Sequence, residues 1–155
     1  MGTRSAIGVT HGDVAKVVYC HWDGYLSHNG KILLENYDSP KANNLVALGS
    51  ISSLGPLIGE KHPFSEFELE KEDPDYDKKV AQIKKAKELG WTTFYGRDRE
   101  EDGQEFTSCF SDKEMYEKFP WCEYFYIMKD GVWYVSQGEG TEWEVLAEAL
   151  TKEEA

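Results

Sequence analysis

Apolar and polar positions alternate over residues 4–10 and again over 14–22, the period-two spacing of strands. Gly12-Asp13 separates the runs and supplies turn chemistry for a hairpin. In the second run Val17, Tyr19 and His21 share one face, and Val18, Cys20 and Trp22 the other. Both faces are substantially apolar, which predicts a strand central in its sheet. Asp23-Gly24 ends the run, and Ile32, Leu33 and Leu34 predict a short helix from Lys31 to Tyr37. A second helix is marked by Ser39 as its cap, Pro40 at its first position and Gly49 as its stop. Leu45, Val46 and Leu48 would face the core.

The periodicity then lapses. Residues 50–75 are punctuated by Gly55-Pro56, Gly59 and Pro63, and acids accumulate from Glu66 to Asp77 with Phe67 and Leu69 among them. An irregular acidic loop is expected there, the mobile or partner-facing part of the chain. Helical spacing returns from Pro74 or Asp75 to Leu89, capped by Asp73 and ended by Gly90. Val80, Ile83, Ala86 and Leu89 form its stripe, and its late lysines suit the helix dipole. Trp91 to Tyr95 reads as a strand, 97–104 as a polar loop and 105–110 as another strand. Ser111-Asp112-Lys113-Glu114 is a capping box for a short helix that stops before Pro120. Trp121–Met128 and Val132–Gln137, joined by Asp130-Gly131, form a hairpin with aromatic arms. Thr141-Glu142-Trp143-Glu144 opens a final helix that buries Trp143, Leu146 and Leu150.

Hairpins with segregated helices predict an α+β fold: an antiparallel sheet of about six strands with helices packed on one face. No linker divides residues 1–155, so a single domain is expected.

Composition changes this picture in three ways. With 40% hydrophobic and 14% aromatic residues, the chain falls outside the disordered class. A net charge of -12 argues against direct nucleic-acid binding, because phosphate backbones repel such a surface. It serves solubility, and it would attract a basic partner. Cys20, Cys109 and Cys122 are odd in number and form no CxxC pair, which predicts reduced thiols in a cytoplasm. No apolar run approaches the roughly 20 residues of a membrane span, so no membrane partner is expected. No secretory leader is evident, and Ala6 stands where a myristoylation motif needs Ser or Thr.

Met1-Gly2-Thr3-Arg4-Ser5 and His21-Trp22-Asp23-Gly24-Tyr25, taken together, resemble a family of small uncharacterised bacteriophage proteins. Its members begin Met-Gly-Thr-Arg and carry Trp-Asp-Gly-Tyr-Pro after the second strand. Gly30 and Ile32-Leu33-Leu34 follow the family pattern, whereas Leu26 replaces its Pro. The resemblance spans roughly the first third of the chain and carries no residue role with it. What it implies is a setting: an accessory phage protein in the cytoplasm of an infected bacterium, used for host takeover or counter-defence.

The chemistry-bearing residues gather at predicted strand ends. Arg4 opens the first strand, and Trp22, Asp23 and Tyr25 close the second, so antiparallel pairing brings them together. Arg binds phosphate or carboxylate bidentately, and Trp and Tyr stack on bases. Arg97 or Arg99 would assist. The structural alternative is an Arg4–Asp23 salt bridge under packed aromatics. His21 and His28 with Cys20 or Asp23 match no zinc spacing; a partly buried His21 and exposed His11, His28 and His62 are expected. Thr3, Ser5 and Cys20 are conceivable nucleophiles with no evident base. Glu100-Glu101-Asp102 reads as a solvated loop. No GxSxG, HExxH or P-loop occurs, and no cofactor is expected. Trp121, Tyr124, Phe125, Tyr126, Trp133 and Tyr134 read as cross-strand packing, unless one face stays uncovered.

Three functions follow as expectations. The first is non-catalytic sequestration of a small anionic, nucleotide-derived signal. The second is an acidic inhibitor or nucleic-acid mimic that binds a host defence protein. The third is a small hydrolase of a nucleotide signal. A homo-oligomer stays open in each.

Overall fold

The computed structural model describes residues 3–154, so Met1 and Gly2 of the family-like start lie outside the described residues. Strands β1 (Ser5–His11) and β2 (Val14–Cys20) form the expected hairpin, with Ser5 opposite Cys20 and His11 opposite Val14. The other strands are β3 (Ile51–Ser53), β4 (Thr93–Phe94), β5 (Thr107–Cys109), β6 (Tyr124–Lys129), β7 (Val132–Ser136) and β8 (Glu144–Val145). They form one sheet in the order β4-β3-β2-β1-β6-β7-β8, with β5 also beside β2. β2 is central, as its two apolar faces predict.

The fold is α+β, but among the described residues the sheet has eight strands and is mixed. β1 runs parallel to β6 and β2 parallel to β3, whereas the other pairings are antiparallel. Turn chemistry reports only hairpin neighbours, so the parallel pairings escape it. β3, β4 and β8 are too short to display alternation.

A π-helical turn, Leu26–Gly30, leads into α1 (Lys31–Asn36), and α2 (Ser39–Ala47) follows. Asp38, not Ser39, caps α2 by accepting a 3.0 Å hydrogen bond from the Lys41 N–H. Leu48 lies beyond the end of α2 and is exposed rather than in the core. α3 (Tyr76–Leu89) buries Ile83 and Ala86, but Leu89 is exposed and the apolar stripe is narrower than the spacing predicts. Asp73 braces the start of α3 through the Asp75 N–H at 2.8 Å and Lys79 at 2.6 Å. α4 (Tyr95–Arg99) stands where a polar loop is predicted. The Asp98 carboxylate reaches back 2.7 Å to the Phe94 N–H and holds the turn closed. α5 (Asp112–Lys118) starts on Ser111, whose hydroxyl accepts the Glu114 N–H as the capping box requires. α6 (Leu146–Glu154) ends the described chain and begins after β8, later than Thr141 implies. Between β3 and α3 the chain is largely irregular, with a short 3-10 turn at Glu66–Glu68.

Alternating side chains of the central strands feed two cores, one on each face of the sheet. Ile7, Val9, Val18, Tyr126 and Met128 pack with Leu33, Leu45 and Val46 of α1 and α2 and with Leu146 and Leu150 of α6. Ala6, Val17, Phe125 and Ile127 pack with Met115 and Phe119 of α5. The helices therefore occupy both faces, not one. Phe125 and Tyr126 are adjacent, both are buried, and each demands its own cover.

Candidate binding surface at the paired ends of β1 and β2

The Trp-Asp-Gly-Tyr element is an anchored corner. The His21 and Trp22 N–H groups donate to the Ile51 and Ser52 carbonyls, each at 3.0 Å, which extends the β2–β3 pairing. Asp23 then adopts a left-handed conformation with φ 55°. The Gly24 N–H donates to the Thr3 carbonyl at 2.7 Å. A Cβ at Gly24 would sit 2.8 Å from both Ser5 Cβ and the Thr3 carbonyl, so only glycine fits. From below, the Tyr126 hydroxyl donates to the Gly24 carbonyl at 2.6 Å. Asn29 is fully buried, and its amide donates to the Trp22 carbonyl at 3.2 Å and to Ser5 Oγ and Cys20 Sγ at 3.3 Å. Leu26, where the family pattern has Pro, is buried in the core instead of stiffening the turn.

This framework projects a row of rings. Trp22 is 43% exposed, Trp121 49% and Tyr25 38%. The His21 and Trp22 rings meet edge to face at 4.6 Å. The Tyr19 hydroxyl and His21 Nδ1 share a 2.7 Å hydrogen bond, and Tyr19 meets Trp121 at 6.1 Å. Trp121 arrives because β6 lies parallel to β1, which lets the Glu123 N–H donate to the Arg4 carbonyl at 2.9 Å. Arg4 is exposed, and among the described residues its guanidinium has no ionic partner. The Arg4–Asp23 salt bridge is thus not formed.

The electrostatics of the row register this cation. Burial pushes the Tyr19 phenol up to about 12, and the Arg4 charge opposes that rise. Burial, and then Arg4, hold the His21 imidazole below its ordinary value. The neutral ring is therefore favoured in the folded state. Stability from this group is present above the unfolded value near 6.5 and is lost as pH falls from there through the folded value. In an NMR titration His21 is expected to titrate below a free histidine, and Arg4→Ala should raise its midpoint. A midpoint unmoved by that substitution would place Arg4 away from the ring.

Arg97 and Arg99 do not join this row. Arg97 donates to the Ile58, Gly59 and Thr92 carbonyls at 2.8–3.1 Å and to Asp98, so its guanidinium is a lock between segments rather than a ligand group. Arg99 is exposed, pairs with Glu68 at 3.1 Å and lies 5.0 Å from the Phe64 ring. His62, expected to be exposed, is buried. Its N–H donates to Asp98 at 3.1 Å, and its Nε2 is 3.1 Å from Thr93 Oγ1. No local spacing relates residues 62, 93 and 98, so sequence reasoning had no signal for this cluster. For Tyr19 and His21 a signal existed, since they share one strand face.

Two of the three conceivable nucleophiles, Ser5 and Cys20, are sealed, whereas Thr3 is half-buried. Cys20 is fully buried and its thiol is pushed up to about 12, chiefly by burial. Ser5 is also fully buried, with its hydroxyl bonded to Asn29. Cys109 and Cys122 are buried free thiols. Among the described residues no three or more His, Cys, Asp or Glu side chains gather to hold a metal, and no helix is long and apolar enough to cross a membrane. Cavities of about 380, 680 and 400 Å³ lie elsewhere on the molecule, and none is lined by Arg4, Trp22, Asp23 or Tyr25. A ligand at Arg4 would meet an open aromatic surface. No family model matches the chain, and no curated protein or solved structure matches it either.

Proposed function

We propose that the chain is a non-catalytic binding protein that captures a small anionic ligand with a planar group, best a nucleotide-derived signal, at the Arg4–Trp22 surface. The observation that carries this reading is an exposed guanidinium, without an ionic partner among the described residues, whose charge acts on Tyr19 and His21, the rings that meet exposed Trp121 and Trp22, in a chain of net charge -12. On such an acidic protein, an unpaired cation at the end of a row of rings selects an anion that can also stack. Sealed Cys20 and Ser5 favour binding over hydrolysis. The phage counter-defence setting rests on the N-terminal resemblance alone.

Calorimetry against cyclic and linear nucleotides tests the reading. Saturable binding is expected, and Arg4→Ala should weaken it by about tenfold, the usual scale for one lost charge-assisted contact. Ligand recovered after denaturation should be intact; a converted product would instead support the hydrolase. An absence of heat across the panel, or undiminished affinity in Arg4→Ala, would sink the proposal.

A second reading rests on Phe67, which is 98% exposed between Glu66 and Glu68. An acidic segment with an exposed ring suits docking on a basic host protein. Capture of such a partner should then weaken with salt, and a salt-insensitive complex would count against it.

A further inference from the structure

At the opposite end of β1 and β2 lies the cavity of about 380 Å³, within the range of small-molecule sites. Among the described residues, α5 is the helix that packs on this second face of the sheet, joined there by Cys122 and Trp143. Met115 and Phe119 of α5 cover Ala6, Val17 and Phe125. Toward the β1–β2 turn, β1 and β2 contribute Thr10, Val14 and Ala15 to the cavity lining. Buried Ile127 and Met115 line its depth. Trp143 is a fixed wall: its indole N–H donates to Asp112 at 3.0 Å and its ring stacks on Tyr116.

Three charged side chains line this cavity: Asp13 from the β1–β2 turn, Lys129 from the end of β6, and Asp112, which accepts the Trp143 N–H. Asp13 and Lys129 are exposed, and neither has an ionic partner among the described residues, including each other. A partly apolar chamber with one base, one free acid and a second acid already engaged by Trp143 is complementary to a zwitterion carrying an apolar body. We propose that this cavity binds a free amino acid, or a close analogue, with a large apolar side chain. The side chain packs against Ile127, Met115 and Trp143, the ammonium faces Asp13, and the carboxylate faces Lys129. A small dianion would meet only one cation against the Asp13 and Asp112 carboxylates, which disfavours a second nucleotide site here.

Calorimetric titration with L-phenylalanine, L-tryptophan and L-leucine tests the assignment. At least one should bind saturably with a Kd below about 1 mM. The N-acetyl and methyl-ester derivatives of that amino acid, each lacking one charge, should bind about tenfold more weakly. Lys129→Met should erase the preference over the ester, and Asp13→Asn the preference over the N-acetyl form. Ala15→Phe should fill the chamber and abolish binding; should that variant misfold, the two charge variants at exposed positions still decide. Arg4→Ala should leave this binding unchanged, whatever it does to nucleotides. The proposal is overturned if none of the three amino acids saturates, if the blocked derivatives bind as well as the parent, or if Arg4→Ala removes the binding.

Discussion

Asp98→Ala is expected to lower the unfolding free energy by about 3–5 kcal/mol, the scale seen when one partner of a buried ion pair is deleted. The Asp98 side chain is wholly buried. It accepts from the His62 N–H at 3.1 Å, the Phe94 N–H at 2.7 Å, Arg97 Nε at 3.0 Å and Arg97 Nη2 at 3.2 Å. Without it, the Arg97 guanidinium stays 14% exposed beside a void, its charge uncompensated, and two backbone donors lose their acceptor. The orphaned buried donors, at about 1–3 kcal/mol each, make up part of that loss. Set against a typical total of about 5–15 kcal/mol, that loss brings the chain near its threshold. Urea denaturation should show the midpoint fall with little change in slope. A loss under about 1 kcal/mol would mean that water replaces the carboxylate at no great cost, and that the 58–62 segment is held by other contacts.

The second large effect is expected at Asn29. Asn29→Ala should cost about 2–4 kcal/mol, because the Trp22 carbonyl and Ser5 Oγ lose a donor that no water can easily replace in a sealed site. It should also loosen the corner that projects Trp22 and Tyr25. Nucleotide affinity should therefore fall with stability in this variant, whereas Arg4→Ala should lower affinity and leave stability near wild type, since Arg4 is exposed. The two variants separate framework from contact. Denaturation and calorimetry on the same preparations give both quantities. Wild-type stability in Asn29→Ala would show that the Tyr126–Gly24 bond and the backbone bonds of residues 21–24 suffice to hold the corner.

Part of the candidate site was legible in the chain itself. Gly12-Asp13 sets the register of the first hairpin, and that register brings Arg4 to the Trp22 end. Trp121 was not legible as its neighbour, because that proximity depends on β1 pairing in parallel with β6, residues remote in sequence that no turn connects. The Arg97–Asp98–His62 cluster was hidden for a related reason. Adjacent charges at 97–98 resemble a solvated loop until the irregular 58–62 segment folds over them and removes the water. The cavity beside Asp13 and Lys129 is likewise lined by segments remote in sequence.

The sequence by itself determined what is local. Alternation marked β1, β2, β6 and β7. Glycines with positive φ at 12, 90 and 131 marked two hairpin turns and a helix end. Composition placed the chain among folded acidic domains. Only the tertiary structure decided that the sheet is mixed and eight-stranded, that helices lie on both faces, and that Arg4 is exposed while Arg97 is locked. The physical reason is one of range. Turn geometry, caps and periodicity act within a few residues and are written into spacing. Parallel pairing, desolvation of charge and the coverage of a sheet face are set by segments that meet only once the chain has closed.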